Sequence, residues 1–430
     1  MSHRRFAVWL VLSCTAVVLV TPLAGSESPG PEPRLSTASR SIVVTTTAEL
    51  DAVLSAGTDL TIFVQRGTYV FNHPIHVPDN THLIGEGEML HDPDGLPTGF
   101  VPGSRTVIVA GPGVTGDFLT LGDGASLQGL VIQDLVRPAL TGGSVVVVSS
   151  RNPGDSVSVQ VAECEIINPN SVTGPGLTGP VGRGLMAITR PHEQSLVSVH
   201  LTQSIIRSPG GGDGIFAINF ASGSHIELHL RGNVVGKLGA NGGVGRPDSS
   251  TVGATTSIQS TGNLYRLDNA IPNSLGWQFQ GGSDPSGLPP NVVAQATLNN
   301  KLSMHSVDDR IEGFPRAMTA TGGQRLSALS GTIASNEMEL ILEGTRLLST
   351  TADFQLSGSR NLAGTTEGNE LRVTMHNVIG SGPRTNTYAD MTGNLGSGNR
   401  LIITGNLNAF SRTNDAILPM PGAQFFTAGR

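Results

Sequence analysis

The sequence predicts an all-β protein wound as a parallel β-solenoid, with one short helix ahead of many short strands. Three observations carry that expectation. Composition is the first: the 430 residues include 56 glycines, 4% aromatics, 14% charged residues and only two lysines, Lys237 and Lys301. A compact α/β enzyme would need more helix formers and a larger aromatic core, whereas Gly, Asn, Ser and Thr between short Val/Ile/Leu runs suit a turn-dense repetitive β architecture. Strand length is the second. In "TIFVQRGTYVFNHPIHVPDNTHLIGEG", residues 61–87, Ile62 and Val64 alternate with polar positions, Arg66-Gly67 turns the chain, and Pro74 and Pro78-Asp79-Asn80 break it again before Ile84. No run there is long enough for a helix. The third is an internal repeat of about 30 residues.

From the N-terminus, residues 1–26 are expected to be a signal peptide. Arg4 and Arg5 form a positive start, Phe6 to Val20 an apolar run, and Ala24-Gly25-Ser26 a small-residue cleavage site. The apolar run is short of the ~20 residues needed to span a bilayer. Residues 27–40, "ESPGPEPRLSTASR", are expected to be a Pro/Ser-rich linker. Loss of Arg4 and Arg5 takes the formal charge from −7 to −9. An acidic chain with two lysines is a poor nucleic-acid partner. Cys14 leaves with the leader and Cys164 stays alone, so neither a disulfide framework nor a paired-cysteine metal site is available. The expected location is outside the cytoplasm, extracellular or periplasmic, with no membrane contact after cleavage.

Thr46 to Ala56 carries the helix signal. Thr46 and Glu49 have capping-box spacing, and Leu50, Val53 and Leu54 make one apolar stripe. Such a helix suits the open end of a solenoid, where bare strands would expose edge and core.

The repeat follows. "VSVQVAECEI" (157–166), "VSVHLTQSII" (197–206), "IELHLRGNVV" (226–235), "TSIQSTGNLY" (256–265) and "VVAQATLNNK" (292–301) align in one phase. Cys164, Ser204, Asn233, Asn263 and Asn299 then share a turn position, and Asn336 is expected to continue it; from Ser204 the separations are 29, 30, 36 and 37 residues. "GNELRVT" (368–374) and "GNRLIIT" (398–404) recur 30 apart. Period-2 alternation assigns Val159, Val199, Leu228, Ile258 and Ala294 to one inward row, and Val161, Leu201, Leu230, Ser260 and Ala296 to the next. Side chains shrink along both rows, which predicts thinner packing toward the C-terminus. The asparagines can adopt left-handed backbone and bond their stacked copies. The repeat domain is expected over 41–410, followed by a tail, 411–430.

These coils resemble the pectin-lyase-like superfamily. There a strand leads to a Gly-x-Tyr turn, here Gly67-Thr68-Tyr69, and then to an element matched by His82-Leu83-Ile84-Gly85-Glu86-Gly87. The resemblance implies a single-stranded right-handed parallel β-helix. It does not imply an activity, because that fold hosts lyases, hydrolases, epimerases, adhesins and tail spikes.

Candidate chemistry sits on an outward row, Gln160, His200, His229, Gln259 and Gln295. It is flanked by Ser198, Glu227 and Ser257 on one side and by Thr202, Arg231 and Thr261 on the other. Amides and hydroxyls bond sugar hydroxyls, and Arg pairs with uronate carboxylates. His200 or His229 could remove a proton α to a carboxylate while Arg231 stabilises the charge. Gln160, Glu227 and Gln259 are candidate substrate contacts, and Trp277, with Phe279, a candidate sugar-stacking platform. An exposed polar row is also what any solvated solenoid face requires.

Other motifs fail on inspection. Asp213, Asp268 and the Asp308-Asp309 pair begin turns. Asp-Asp-x-Ile is similar to the polygalacturonase group, but the neighbouring Asn-Thr-Asp, Gly-His-Gly and Arg-Ile-Lys elements are absent. The pectate-lyase blocks are missing too; Arg207-Ser-Pro209 keeps only the beginning of one. Asp92 and Asp94 in "HDPDG" could meet calcium but fit a turn better. The glycines of 231–248 lack a phosphate loop's strand–loop–helix context. The expectation is a secreted protein that interacts with polysaccharide, non-catalytic or catalytically divergent, with no cofactor. A polysaccharide lyase or epimerase and a structural, adhesin-like solenoid are the alternatives.

Overall fold

The computed structural model describes residues 40–135, 143–170, 182–190, 194–209, 213–245, 250–266, 275–283, 296–325, 332–350, 352–361, 366–380, 387–388, 396–405, 416–417 and 425–428. The expected leader and linker, Asp268, Ala294 and Gln295 lie outside the described residues. Each coil contributes one strand to each of three parallel sheets, of 13, 10 and 11 strands in coil order. They are called sheets 1, 2 and 3 in the order the chain visits them. Their inward rows merge into one core. The later coils add a short fourth strand at the corner between sheet 3 and sheet 1, starting with Thr251–Val252.

The helix Thr47–Ala56 stands between the first two strands of sheet 1, where the chain has no strand of the other two sheets. Its capping box forms: Thr46 Oγ1 accepts from Glu49 N at 3.2 Å, and Thr46 N donates to Glu49 Oε2 at 3.1 Å. Leu50 and Leu54 are buried against the first coil. In the Gly-x-Tyr turn, Tyr69 is buried and its hydroxyl donates to Gln65 O at 2.9 Å. The two glycines after Leu83 serve close approach. A Cβ at Gly85 or at Gly87 would lie 2.5 Å from Gly129 O of the next coil.

The inward rows hold for four coils. Val159, Val199, Leu228 and Ile258 are in register and buried. The fifth is corrected by ten residues. Ile258 pairs with Met304 and Ser260 with Ser306, on the strand Lys301–Val307, so Ala294 and Ala296 are not in these rows. The first row does not thin, for it continues through Met304, Leu340 and Val373, whereas the second thins at Ser260 and Ser306 before it fills again with Leu342 and Met375. Trp277, Phe279, Phe314 and Phe354 fill the later coils.

The asparagine series divides in two. One ladder lies at the corner after sheet 1. Cys164 N donates to Ser204 Oγ, Ser204 N to Asn233 Oδ1, Asn233 N to Asn263 Oδ1, and Asn263 N to Asp309 Oδ1, at 2.7–3.1 Å. The other lies before sheet 1 and runs Asn300, Asn336, Asn369, Asn399, at 3.0–3.1 Å. Asn336 therefore belongs to the second ladder, and Asn300 replaces Asn299 as its first member. Left-handed backbone falls to the residue before the ladder: Gln203, Gly232, Gly262 and Asp308 in the first, Asn299, Ser335, Gly368 and Gly398 in the second. The split is physical, because a stacked side chain needs extended backbone while the turn needs positive φ.

A hairpin, Met89–His91 with Pro97–Phe100, leaves the second coil and lies over the outer face of sheet 2. There Met89, Leu96 and Phe100 bury Val131, Ile205, Val234 and Leu264. Asp92 Oδ1 accepts from Asp94 N and Leu96 N at 2.9 Å, and so shapes the hairpin tip. Two further strands, Ala416–Ile417 and Phe425–Ala428, join sheets 3 and 1. Among the described residues no helix is long and apolar enough to cross a membrane.

Candidate functional site

The outer face of sheet 1 carries the expected row and lengthens it. Strand register places His82, Ser126, Gln160, His200, His229, Gln259 and His305 one above another on successive coils. Six strand spacings make this about 29 Å. The row ends at Ile341, one coil beyond His305. His305 takes the place that the misplaced Gln295 was expected to hold. Among the described residues, His82, His200, His225, His229, His305 and His376 project from this face.

His200 and His229 are stacked, with ring centroids 4.4 Å apart and planes 6° from parallel. Glu227, two residues before His229 on the same face, reaches both neighbours. Its Oε1 is 3.1 Å from His225 Nε2 and its Oε2 is 3.8 Å from His229 Nε2. His225 also bonds Thr255 Oγ1. Burial, the adjacent His229 and, opposing them, the Glu227 carboxylate set His200's titration, and the net result holds it below the ordinary histidine value. His200 is thus neutral at pH 7 and offers a lone pair. Gln160, Gln259 and Arg231 are exposed. The structure brings His200, His229, Arg231, Glu227, Gln160 and Gln259 onto one face.

Trp277 is the exception. Its indole is fully buried, edge-on to Tyr265 at 5.2 Å, on an inward row of sheet 3 with Phe279. It fills the core and cannot be a platform for a sugar. Asp213 and Asp309 lie at different corners and make no joint acid pair: Asp213 precedes a sheet 3 strand, while Asp309 follows one of sheet 1. Asp309 is buried, accepting from Ser306 Oγ at 2.7 Å and from Asn263. Asp213 sits between Lys237 Nζ at 2.9 Å and Arg183 Nε at 3.7 Å. With Arg207 and Glu165 paired at 2.8 Å, this corner is a largely buried, charge-compensated network. Cys164 is an inert thiol in the first ladder, pushed up to about 12 by burial.

Two clefts lie away from the row, at the turn from sheet 3 into sheet 1 near the helix. One, of about 360 Å³, is lined by His76, Thr120, Ser149, Arg151 and Arg190. The other, of about 480 Å³, shares His76 and adds Asp51, Ser55, Thr58 and His73. Sequence reasoning missed both: the first draws its residues from four separate coils and the second from the helix and the first coil, and neither set forms a motif.

The chain is a parallel β-helix protein. No protein-family model matches it, and no curated protein matches it. Among solved structures it is similar to tailspike protein 2 from a bacteriophage of Escherichia coli O157:H7, at 10% identity and TM-score 0.42, over 88% of this chain and 43% of the tailspike. It is also similar to YbhC of Escherichia coli, at 12% identity and TM-score 0.35, over 69% of this chain and 77% of that one. A third is a mannuronic acid specific polysaccharide family 6 lyase from human gut microbiota, at 11% identity and TM-score 0.27, over 89% and 92% of the two chains. The chain spans less than half the length of the tailspike it matches.

Proposed function

We propose that this chain is an exported polysaccharide-binding protein that holds an extended acidic glycan along the outer face of sheet 1. One observation carries this reading: seven successive coils align hydrogen-bonding side chains, from His82 to His305, in a single row. A linear polymer meets such a row with its own repeat, amides and imidazoles bonding its hydroxyls and Arg231 its carboxylates. Binding is favoured over catalysis because chemistry gains most from a concave, water-excluding site, whereas Gln160 and Gln259 of this row are exposed on the outer face of a sheet. The test is retention of the full chain in gels containing polygalacturonate, from pH 5 to 8. Retention should rise as pH falls, and the double substitution His200→Gln/His229→Gln should flatten that dependence while preserving circular dichroism. Unchanged pH dependence in the double variant, or no retention of the wild-type chain, refutes the reading.

A second reading, a lyase or epimerase on uronate-containing glycan, is favoured by one feature: neutral His200 is the base such chemistry needs, with Arg231 one coil away. Lysis would create an unsaturated product whose ultraviolet absorbance grows with time. A flat trace with polygalacturonate and alginate counts against lysis.

A further inference from the structure

We infer that the cleft beneath Arg151 and Arg190 is a separate binding subsite for a carboxylate-bearing sugar, a uronic acid residue, distinct from the row on sheet 1. Register pairs Ser149 with Ile188, which sets Arg151 and Arg190 at matching positions on adjacent coils. Their backbones lie about one strand spacing, ~4.8 Å, apart, and both side chains line the same cleft, so an anion entering it meets two positive groups. The protein supplies little countercharge: Asp79 Oδ1 is 4.0 Å from Arg151 Nη1, and among the described residues Arg190 has no ion pair. Instead Arg190 Nε donates to Ser149 Oγ at 3.0 Å. This cationic spot stands out in a chain of formal net charge −7.

Arg151 is also held in place. Arg151 Nη2 can only donate, and it lies closer to His76 Nε2 than to Nδ1, which in turn lies 3.0 Å from Thr120 Oγ1 and 3.2 Å from Thr120 O. Nε2 then accepts from Arg151 Nη2 at 2.7 Å, and the imidazole is neutral. A neutral ring that spends its lone pair on a guanidinium orients the remaining N–H groups without adding charge. Paired, planar donors of this kind fit a carboxylate. The volume, about 360 Å³, suits a sugar residue better than a bare ion.

The experiment is calorimetric titration of the full chain with trigalacturonate, maltotriose and sodium sulfate. It compares wild type with Arg151→Gln/Arg190→Gln and with His200→Gln/His229→Gln. Trigalacturonate should saturate the wild type, lose at least tenfold in affinity in the arginine variant, and keep its affinity in the histidine variant. Maltotriose should not compete. The inference is overturned if the folded arginine variant binds trigalacturonate as the wild type does, or if the wild type does not bind it. Loss confined to the histidine variant assigns the oligomer to the sheet 1 row and also overturns it. Sulfate binding as tightly as trigalacturonate would mean an anion hole without sugar recognition, and would overturn it too.

Discussion

The ring of His229 is one of the causes that hold His200 below the ordinary histidine value. Their rings stack at 4.4 Å, too close for two imidazolium charges. Burial is the main cause that lowers His200, repulsion from His229 the second, while Glu227 opposes both. Replacing His229 with Gln removes the second cause and leaves the first, so His200 should titrate at higher pH, nearer the ordinary value of ~6.5. Imidazole chemical shifts followed by NMR across pH 4–8 check this, and an unmoved His200 would mean the stacking is not electrostatically felt. Asp309 gives a prediction of the opposite kind. Burial raises its carboxyl from 3.8 to about 6, against the hydrogen bonds from Ser260, Ser306 and Asn263 that stabilise the anion. Between those two values the folded chain keeps a proton that the unfolded chain has released. Stability therefore falls as pH rises through that window, and the cost is complete above it. A shift of that size is worth ~3 kcal/mol. Asp309→Asn keeps an acceptor for Asn263 and can donate to Ser306, so it should stabilise the protein by about 1–3 kcal/mol at pH 7 and abolish the slope between pH 4 and 6. Urea unfolding at both ends of the window reads this directly.

Alternation along single strands decides what faces the core, and neighbouring substitutions can test it. Leu228 is fully buried and His229, the next residue, is half-exposed. Leu228→Asp should cost ~3–5 kcal/mol by placing an unpaired charge in the core. His229→Asp should cost about 1 kcal/mol or less, and equal losses in thermal unfolding would sink the register. That register is legible in the sequence wherever coils repeat at 29–30 residues and keep Asn at the ladder position. It is hidden where the spacing jumps from Asn263 to Asp309, 46 residues on. There the ladder residue is the isostere Asp, and "VVAQATLNNK" offers a false phase in its place. The signal that corrects it is local: Met304-His305 repeats Leu228-His229, and Asp309 stands as far from His305 as Asn233 does from His229. Trp277 misleads for another reason. Its strand, Leu275–Ser283, is bounded by glycines that fit either face, so period alone cannot point the indole; its contact with Tyr265 does. The sheet 1 row is legible because each member follows from alternation, whereas the corner clefts depend on which turns meet.

Between distant coils, the hairpin over sheet 2 ties the stack together in a way no single repeat could. It leaves the second coil between that coil's sheet 1 and sheet 2 strands, and its tip carboxylate, Asp94, reaches Arg310 at 3.2 Å. Arg310 lies on the sheet 2 strand Arg310–Glu312, five strands beyond the one bearing Val131. Two contributions compete in holding it. The ion pair has an exposed carboxylate partner, and such pairs are worth about 0–1 kcal/mol. The apolar contacts bury Met89, Leu96 and Phe100 over Val131, Ile205, Val234 and Leu264, and each large side chain removed from water contributes about 1.5–3 kcal/mol. Apolar burial should win. Arg310→Ala is therefore expected to change the unfolding midpoint by little, and the hairpin to stay in place. Excising residues 88–101 and joining Gly87 to Pro102 through two glycines is geometrically permitted, because Val101 N already bonds Glu88 O at 2.9 Å. That deletion should uncover a continuous apolar stripe on sheet 2, lower the melting temperature well beyond the effect of Arg310→Ala, and raise binding of a hydrophobic dye. The row on sheet 1 lies on another face, so the glycan retention proposed for it should not change. If Arg310→Ala destabilises as much as the deletion, the tip contact and not the buried stripe holds the strap.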